Sequence, residues 1–528
     1  MDYAASNSSE LKVFFAKSRS PTRRSTEEAD RLTEDILQPL VAGDEFEEEE
    51  FEGSGEITYT LSEAVEKIGF GKFQIKMLLI VGFFTIADAL EMMLLSILGP
   101  TIRCIWHLPA WKEAMVTTVV FVGMMFGSSF WGWLADRYGR KTVIVICATW
   151  IFYFGFISSF SPHYYWIIAL RCLVGFGIGG APLSTTLLAE FLPSSARSYC
   201  ILSLSFFWSI GSCFTVGIAM AVMPTLGWRW LLGILSLPLL CFILMSFWLP
   251  ESVRYLVTAG EKEKALIMLQ KTARTNKKEL PCGYLQDAGE NGKQGRIADL
   301  FSPEYRKTTI LLWFIWVNLA FTYYGIVLMT TEMYQGLNES EESGGGSCNA
   351  DSNSVKNPDC GCQLLTVTDY TDMMWTTLAE FPGIIVTMLC IEKLGRKKTM
   401  AVQFLLTAMC YFLLFICSGR TLMTVFIFGV RGFISGAFQG FYVYTPEVYP
   451  TVVRALALGC CSAMARIGAM VTPFISQVLL RVSLRLALGV YGVTSLVCVA
   501  FTLMLPIETT GRPMVVSFEP FSRSFSLL

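Results

Sequence analysis

The sequence Gly-Trp-Leu-Ala-Asp-Arg-Tyr-Gly-Arg-Lys at residues 132–141 recurs in shortened form as Glu-Lys-Leu-Gly-Arg-Lys at residues 392–397. In both copies an acidic residue, a basic residue, a Gly-Arg pair and a Lys follow one another in the same register. Each copy is a short basic turn between two long apolar runs. A repeated basic turn of this kind predicts two homologous membrane halves, an organisation typical of transporters.

The composition also indicates a membrane protein. Of the 528 residues, 53% are hydrophobic and 16% are charged, whereas a soluble globular protein has about 25% charged residues. The basic residues lie in short turns beside apolar runs and are not interleaved with aromatic residues, as they are in nucleic-acid-binding surfaces. The composition therefore predicts a protein that contacts membrane lipid and does not bind nucleic acid.

About twelve apolar runs are long enough to cross a bilayer as helices, which takes roughly 20 residues. The sequence thus predicts an all-α membrane protein with twelve transmembrane helices in two pseudo-symmetric six-helix halves. The runs, numbered 1 to 12, are residues 75–100, 114–135, 143–160, 164–190, 199–223, 230–249, 308–330, 371–391, 399–417, 421–444, 455–480 and 485–505.

Polar segments divide the chain into five parts. We predict a cytoplasmic tail, a first six-helix bundle, a cytoplasmic linker, a second six-helix bundle and a short cytoplasmic tail. The first tail carries a basic and then an acidic block, so it is expected to be mostly disordered and to bind cytoplasmic protein partners. The predicted bounds are 1–72, 73–250, 251–307, 308–510 (with a luminal loop at 331–370) and 511–528.

The distribution of Lys and Arg predicts the orientation, because short basic loops stay on the cytoplasmic side. The turns after runs 2 and 8 and the linker are basic, whereas the 331–370 loop contains only Lys356. Both termini are therefore expected in the cytoplasm, and the 331–370 loop in the lumen or outside the cell. A sequon at Asn338 makes that residue a candidate for glycosylation.

Three cysteines, Cys348, Cys360 and Cys362, lie in the same polar loop. A disulfide involving them is expected if the loop is not cytoplasmic. A zinc site is the alternative interpretation, but the loop contains no His and the whole chain contains only 2. The sequence therefore predicts no metal site.

Further landmarks also occur in pairs. Arg171 begins Arg-Cys-Leu-Val-Gly-Phe-Gly-Ile-Gly in run 4, and Arg431 begins Arg-Gly-Phe-Ile-Ser-Gly-Ala in run 10. Pro-Glu-Ser at residues 250–252 ends the first half, and Pro-Ile-Glu-Thr at residues 506–509 ends the second. Together with the basic turns, these pairs resemble the major facilitator superfamily over roughly residues 70–510. The resemblance implies twelve helices around a central cavity.

The same resemblance implies a charge network at the cytoplasmic helix ends. Ion pairs there would hold one state of the transport cycle and break when the halves rock. The alternative is that these residues only anchor the cytoplasmic side. The residues are Asp136, Arg137, Arg140, Glu190 and Arg197 in the first half, and Glu392, Lys393, Arg396, Glu447 and Arg454 in the second.

Other motifs resemble particular branches of that family. Gly-Trp-Arg-Trp at residues 227–230 looks like the sugar-porter and organic-ion branches. Ala-Asp-Ala-Leu-Glu-Met-Met at 87–93 and Tyr-Thr-Pro-Glu-Val-Tyr-Pro at 444–450 are similar to the synaptic vesicle 2-related proteins. This second resemblance implies a synaptic or secretory vesicle membrane, but it does not imply a substrate.

Charged residues within the apolar runs are candidates for substrate and proton binding, because a carboxylate or guanidinium in a membrane is costly. Asp88 and Glu91, three residues apart in run 1, share a helix face. One of them is expected to take up a proton or to counter a cationic substrate; the alternative is a structural ion pair with Arg171. Arg466 in run 11 is expected to bind an anion or to pair with Glu380 in run 8.

Aromatic and amide side chains at cavity-type positions suggest an amphipathic organic solute more than a bare ion. Sugar porters typically carry several amides in helices 5 and 7, and this chain has few there, which counts against a hexose. Each residue alone is more often explained by simple packing. The residues are Trp208, Asn318, Tyr323, Tyr324, Trp375, Gln439 and Tyr442.

The sequence therefore predicts a secondary active transporter of a small organic solute, anionic or zwitterionic, that works by alternating access with proton coupling in a vesicle membrane. No Walker motif, catalytic triad or metal-ligand cluster occurs, so neither an enzyme nor a cofactor is expected. One alternative is a transporter-shaped protein that binds or regulates without transporting. Another is a plasma-membrane organic-ion transporter, although the loop at 101–111 is short for that branch.

Overall fold

The computed structural model of the chain describes residues 58–286, 296–342, 364–416 and 419–509. Nearly all regular structure in these ranges is helical. The exception is a pair of two-residue strands, Thr58–Tyr59 and Tyr284–Leu285, which run parallel to each other. The short helix Leu61–Ile68 follows the first strand. It begins with a capping box in which Thr60 and Glu63 each accept a hydrogen bond from the other's backbone N–H.

The first half contains six membrane helices, which begin and end within a few residues of the predicted runs. Membrane helix 4 is interrupted near Gly179 and continues as a second segment. The helices are Lys72–Trp106, Ala110–Tyr138, Arg140–Ser158, Tyr164–Ile178 with Pro182–Glu190, Ser194–Val222, and Trp228–Met245 with a 3₁₀ turn at Ser246–Trp248.

The second half repeats this order. Membrane helix 8 is again split, and membrane helix 11 passes through a turn of π-helix. The helices, numbered 7 to 12, are Arg306–Glu342, Val367–Leu378 with Glu380–Lys393, Arg396–Leu413, Arg420–Val448, Thr451–Pro473 with Phe474–Leu479 and Leu480–Val482, and Leu484–Met504.

The twelve predicted runs all fall on helices, which confirms the predicted fold class. Within the described ranges, eleven helices are long and apolar enough to span a membrane by themselves. Membrane helix 9 is the twelfth. It begins with the basic residues Arg396, Lys397 and Lys398, and it packs between membrane helices 10 and 12.

The helices on either side of the predicted 331–370 loop extend into it. The loop predicted at 331–370 begins inside membrane helix 7, which continues to Glu342, and ends inside membrane helix 8, which begins at Val367. The continuation has a physical reason, because residues Thr330 to Gln335 are buried in the bundle despite their polar character. Residues 343–363, including the three loop cysteines, lie outside the described residues.

Glycine lets the helices of each half approach closely. A Cβ on Gly175 of membrane helix 4 would lie 2.1 Å from the carbonyl oxygen of Val120 on membrane helix 2. In the second half, a Cβ on Gly383 of membrane helix 8 would lie 2.1 Å from the carbonyl oxygen of Gly432 on membrane helix 10. Small residues at such crossings are the usual way in which membrane helices pack.

The linker between the halves is fastened to the start of membrane helix 1. Its helix Lys262–Asn276 buries Ala265 and Leu269. The side-chain Oδ1 of Asn276 accepts a hydrogen bond from the backbone N–H of Phe73 at 3.1 Å, and its Nδ2 donates to Oε1 of Gln74 at 2.7 Å. The linker is therefore part of the folded structure on the side of the first half.

Candidate functional site

Glu91 of membrane helix 1 forms an ion pair with Arg171 of membrane helix 4. Oε2 of Glu91 and Nη1 of Arg171 are 2.9 Å apart, and both side chains are almost completely buried. Membrane helix 3 has a glycine at this level, and a Cβ on Gly155 would lie 3.2 Å from Oε1 of Glu91. The geometry is the structural ion pair that the sequence left open as an alternative, because each charge neutralises the other away from water.

Glu380 of membrane helix 8 forms the corresponding pair in the second half, with Arg431 of membrane helix 10. Nε of Arg431 lies 3.2 Å from Oε1 of Glu380, and both side chains are buried. The hydroxyl of Tyr323 donates to Oε1 at 3.1 Å, and the hydroxyl of Ser209 donates to Oε2 at 3.0 Å. Trp208 completes the network by donating its Nε1–H to the oxygen of Tyr323 at 2.8 Å.

This network corrects one prediction. Glu380 does not pair with Arg466, because Arg431 occupies its carboxylate. The close crossing of membrane helices 8 and 10 at Gly383 and Gly432 explains the choice, since it places Glu380 and Arg431, one turn or less away, side by side.

Arg466 of membrane helix 11 lies instead opposite Asp88 of membrane helix 1, with which it interacts electrostatically. Its Nη1 donates a hydrogen bond to Sδ of Met124 at 3.6 Å, and the guanidinium interacts electrostatically with Tyr324 and Tyr442. Among the described residues, Asp88 has no ion-pair partner within 4.0 Å, and its Oδ1 is buried without a hydrogen bond. Asp88 and Glu91 were predicted to act from one face. The structure gives them different partners, one in each half.

A narrow cavity lies between the halves beside these groups. It has a volume of about 10 Å³, room for about one water molecule, and reaches the guanidinium of Arg431. Nη1 of Arg431 is buried and has no hydrogen-bond partner among the described residues. The lining residues are Met92, Met93, Trp208, Ser212, Tyr323, Tyr324, Val327 and Arg431. The wall of the cavity therefore contains both aromatic side chains and a charged guanidinium.

The sequence missed Arg431 as a site residue and recognised it only as a repeat landmark. The available signal was its position, because an Arg in an apolar run at the register of Arg171 must find a buried partner. Of the remaining predicted residues, Trp375 is 59% exposed and does not line the cavity. Asn318 donates its amide to the carbonyl of Phe314 on its own helix at 2.8 Å.

Gln439 and Tyr442 lie on membrane helix 10 and are partly buried. The ring of Tyr442 packs edge-on against Trp316, with 4.9 Å between the ring centroids. This contact places Tyr442 in an aromatic cluster behind the Asp88 and Arg466 charges.

The cytoplasmic charge network of the first half closes within that half. Arg140 forms an ion pair with Glu190, and the hydroxyl of Ser252 donates to the same carboxylate. Asp136 interacts electrostatically with Arg140, and Arg197 donates to the carbonyl of Leu192 at 3.1 Å. Arg137 lies over the ring of Trp133, 5.8 Å from its centroid.

The second half repeats the arrangement. Nε of Arg396 lies 3.2 Å from Glu447, and Glu508 accepts a hydrogen bond from the backbone N–H of Arg396 at 2.8 Å. Arg454 donates to the carbonyl of Tyr449 at 3.3 Å, as Arg197 does in the first half. Lys393 is exposed.

One hydrogen bond of this region joins the two halves. The hydroxyl of Tyr199 on membrane helix 5 donates to Glu392 on membrane helix 8 at 3.2 Å. The ion pairs of the two signatures were expected within each half, at the cytoplasmic helix ends. In the described residues Arg140 with Glu190 and Arg396 with Glu447 join helices of the same half.

Two predicted modification sites cannot be placed. The side chain of Asn338 and the cysteines Cys348, Cys360 and Cys362 lie outside the described residues. The structure does, however, contain a disulfide bond at Cys104, near the end of membrane helix 1. The sequence gave no indication of it, because Cys104 lies in an apolar stretch where a cysteine usually acts as a small hydrophobe.

Two six-helix halves around a charged central cavity are the architecture of alternating-access transporters. Comparison with known proteins agrees. The family model for sugar and other transporters matches residues 68–343, and the model for the major facilitator superfamily matches residues 371–527. The chain belongs to the major facilitator superfamily, whose fold is that of multi-pass membrane transporters and not of enzymes.

Particular relatives narrow this further. The chain is 51% identical over 466 residues to the synaptic vesicle 2-related protein of Xenopus laevis, covering 88% of this chain and 83% of that protein. It is 36% identical to organic cation/carnitine transporter 7 of Arabidopsis thaliana, covering 88% and 97%. Its fold matches the partially occluded inward-open xylose transporter XylE from E. coli with a TM-score of 0.63 at 14% identity, covering 84% and 99%.

Proposed function

We propose that the protein is a secondary active transporter of a small organic anion or zwitterion, driven by protons and working by alternating access. The observation that carries the proposal is the opposition of Asp88 and Arg466. These two charges come from different halves, face each other in the membrane and have no ion pair with each other within 4.0 Å. A carboxylate and a guanidinium held apart in this way can receive the two ends of a zwitterion.

The charges around the cavity support proton coupling. Glu91 with Arg171 and Glu380 with Arg431 are two closed pairs, and Asp88 with Arg466 is the third acid and the third base. The set is neutral when all six groups are ionised. A bound monoanion would leave one uncompensated negative charge in a site of low dielectric constant. Protonation of Asp88 removes that charge, so one proton would accompany each monoanion.

The lining of the cavity supports an organic solute. Trp208, Tyr323 and Tyr324 offer aromatic faces that attract a quaternary ammonium group. One relative carries carnitine in its name, and carnitine combines a quaternary ammonium with a carboxylate. A zwitterion of this class matches the aromatic wall, Asp88 and Arg466 better than a neutral sugar does.

We further propose that the protein resides in a vesicle membrane with both termini in the cytoplasm. The names of the synaptic vesicle 2-related relatives support the location. The orientation is supported by the basic turns at one end of the bundle and by the disulfide at Cys104 at the other. Disulfides persist in oxidising compartments, so the end that contains Cys104 would face the lumen. The division into tails, bundles and linker predicted above is part of this proposal.

The test is solute uptake by proteoliposomes that contain the purified full-length protein, with an imposed pH gradient. Carnitine serves as the zwitterionic probe and benzoate as the monoanion. We expect gradient-dependent uptake of one of them, lost in Asp88→Asn and in Arg466→Gln. Glu261→Gln and Arg254→Gln, which remove charges at the exposed linker, are matched controls and should transport normally.

Three results would overturn parts of the proposal. Uptake that is unchanged in Asp88→Asn would remove the proton coupling. Uptake unchanged in Arg466→Gln would remove the anion site. Absence of uptake by folded protein, with any probe of either class, would favour the alternative of a binding or regulatory protein that does not transport.

A further inference from the structure

Four charged side chains meet at the end of the bundle opposite the basic turns. Arg103 of membrane helix 1, Glu113 of membrane helix 2, Glu332 of membrane helix 7 and Arg481 of membrane helix 11 form what we call the far-end cluster. Nη1 of Arg103 lies 3.7 Å from Glu113 and 3.9 Å from Glu332. Nη2 of Arg481 lies 3.8 Å from Glu113 and forms a close ion pair with Glu332.

The two carboxylates are the buried part of the cluster. The side chain of Glu113 has no exposed surface and that of Glu332 is 2% exposed, whereas Arg103 and Arg481 are 17% and 27% exposed. The cluster therefore contains two acids covered by two bases, with a net charge of zero. Buried charges of this kind persist only where their partners stay in place, because separation would leave each acid uncompensated.

The cluster joins the two halves. Arg103 and Glu113 belong to the first half, Glu332 and Arg481 to the second, and each Arg reaches the acid of the other half. The signature ion pairs at the opposite end, Arg140 with Glu190 and Arg396 with Glu447, stay within one half. In the described ranges, ion pairs thus connect the halves at the far end only.

The helices are irregular where they carry the cluster. Membrane helix 1 contains Gly99 and Pro100 one turn before Arg103. Membrane helix 11 passes through its π-helical turn, Phe474–Leu479, just before Arg481. Within that turn, Nε2 of Gln477 donates to Glu113 at 3.4 Å, and a Cβ on Gly99 would lie 3.2 Å from the same Nε2. Proline and π-turns are places where helices bend, so both helices depart from a straight α-helix beside the cluster.

We infer that the far-end cluster is a gate that holds the far end of the transporter closed through charge pairing between the halves. Opening this end separates membrane helices 1 and 2 from 7 and 11, and it exchanges each cross-half contact for water. The inference rests on the proposed alternating-access cycle, and it adds a resting direction. A protein whose far end is held closed by ion pairs between the halves loads its solute from the cytoplasmic side.

The test measures hydrogen–deuterium exchange of the full-length protein in lipid nanodiscs, without added solute. Arg481→Glu places a third acid in the cluster and should open the far end. We expect deuterium uptake to rise several-fold in the segments 94–106 and 470–482 and to fall in the cytoplasmic segments 186–197 and 445–456. The double variant Glu332→Arg/Arg481→Glu restores two acids and two bases across the halves, so its exchange should return to the wild-type pattern.

The matched control is Arg420→Glu. Arg420 pairs with Asp369 and Asp372 at the same end of the bundle, but all three belong to the second half, so the variant should leave the cytoplasmic segments unchanged. The milder Arg481→Gln covers the case in which Arg481→Glu does not fold, and it should shift exchange in the same direction.

Unchanged exchange in Arg481→Gln, or a double variant as open as Arg481→Glu, would overturn the gate. An equal shift in Arg420→Glu would also overturn it, because pairing between the halves would then not be the cause. Since the readout needs no solute, a positive result stands even if the uptake experiment fails, and the two proposals can fail separately.

Discussion

The two halves solve the same problem, a buried arginine, in different ways. Arg171 and Arg431 occupy corresponding positions on membrane helices 4 and 10. Arg171 reaches a carboxylate on membrane helix 1, whereas Arg431 reaches one on membrane helix 8, the counterpart of membrane helix 2. Tyr323 on membrane helix 7, the counterpart of membrane helix 1, contributes a hydroxyl to the second pair.

The difference shows that the internal repeat conserves the base and not its partner. Glu91 satisfies Arg171, and the other acid of membrane helix 1, Asp88, has no ion pair within 4.0 Å among the described residues. In the second half, the acid is held by three side chains from three helices. The first half therefore has an acid outside its buried ion pair, whereas the second half holds its acid with further hydrogen bonds from two other helices.

The largest effect is expected from Glu380→Ala, which leaves Arg431 buried without its counter-charge. Loss of one partner of a buried ion pair costs about 3–5 kcal/mol, and the hydrogen bonds of Tyr323 and Ser209 are lost as well. The free energy of unfolding in mixed micelles would measure this. Glu380→Leu/Arg431→Met should recover much of the loss. If the Glu380→Ala protein were as stable as wild type, the ion pair of Glu380 with Arg431 and its added hydrogen bonds would not stabilise the second half.

The close helix crossings should be nearly equivalent in the two halves. Gly175→Ala and Gly383→Ala each place a Cβ about 2.1 Å from a backbone oxygen that cannot move aside. Overpacking of this kind costs about 1–3 kcal/mol. Gly132→Ala, where a Cβ would meet nothing within 4 Å, is the control and should cost nothing. A large difference between the first two variants would show that only one crossing is rigid.

Tyr323→Phe separates the hydrogen bond from the ion pair in the second half. The variant removes the donor to Glu380 and the acceptor of Trp208, and it leaves Arg431 in place. A lost buried hydrogen bond costs about 1 kcal/mol. The same unfolding measurement, together with the fluorescence of Trp208, would detect it. No change in either quantity would mean that the acid is held by its arginine alone.

The smallest effect on stability is expected from Asp88→Asn, because Asp88 has no ion pair to lose. We expect a change well below the about 3–5 kcal/mol that breaking a buried ion pair costs. Glu91→Gln, which leaves Arg171 uncompensated, should be several-fold more costly and is the comparison variant. Equal costs for the two would show that Asp88 is structural, and that the first half has no free carboxylate to offer.

Much of the fold could be predicted from the sequence, because each membrane helix needs only a local run of apolar residues. The basic turns and the paired landmarks also predicted the division of the chain into two homologous halves. The partners of the buried charges could not be predicted in the same way. Glu380 was equally compatible with Arg466 and with Arg431, and only the crossing at Gly383 decides between them.

The far-end cluster was hidden for a similar reason. Arg103, Glu113, Glu332 and Arg481 lie near the ends of four separate helices, where a charged residue usually marks only the membrane surface. Their sequence separation gives no sign that they meet. The disulfide at Cys104 could not be predicted either, since this residue lies in an apolar stretch like the other helix cysteines.

The fastening of the linker at Asn276 has a consequence for how the chain can be cut. Asn276 holds one side of the linker to membrane helix 1, while Thr309 of membrane helix 7 donates to the carbonyl of Leu300 at 2.9 Å on the other side. Each half thus holds its own end of the linker by hydrogen bonds, and the peptide between these two ends serves only as a connection. If the chain is divided between Asn276 and Leu300, the two separately translated fragments retain every contact described above. They should reassemble into one working molecule.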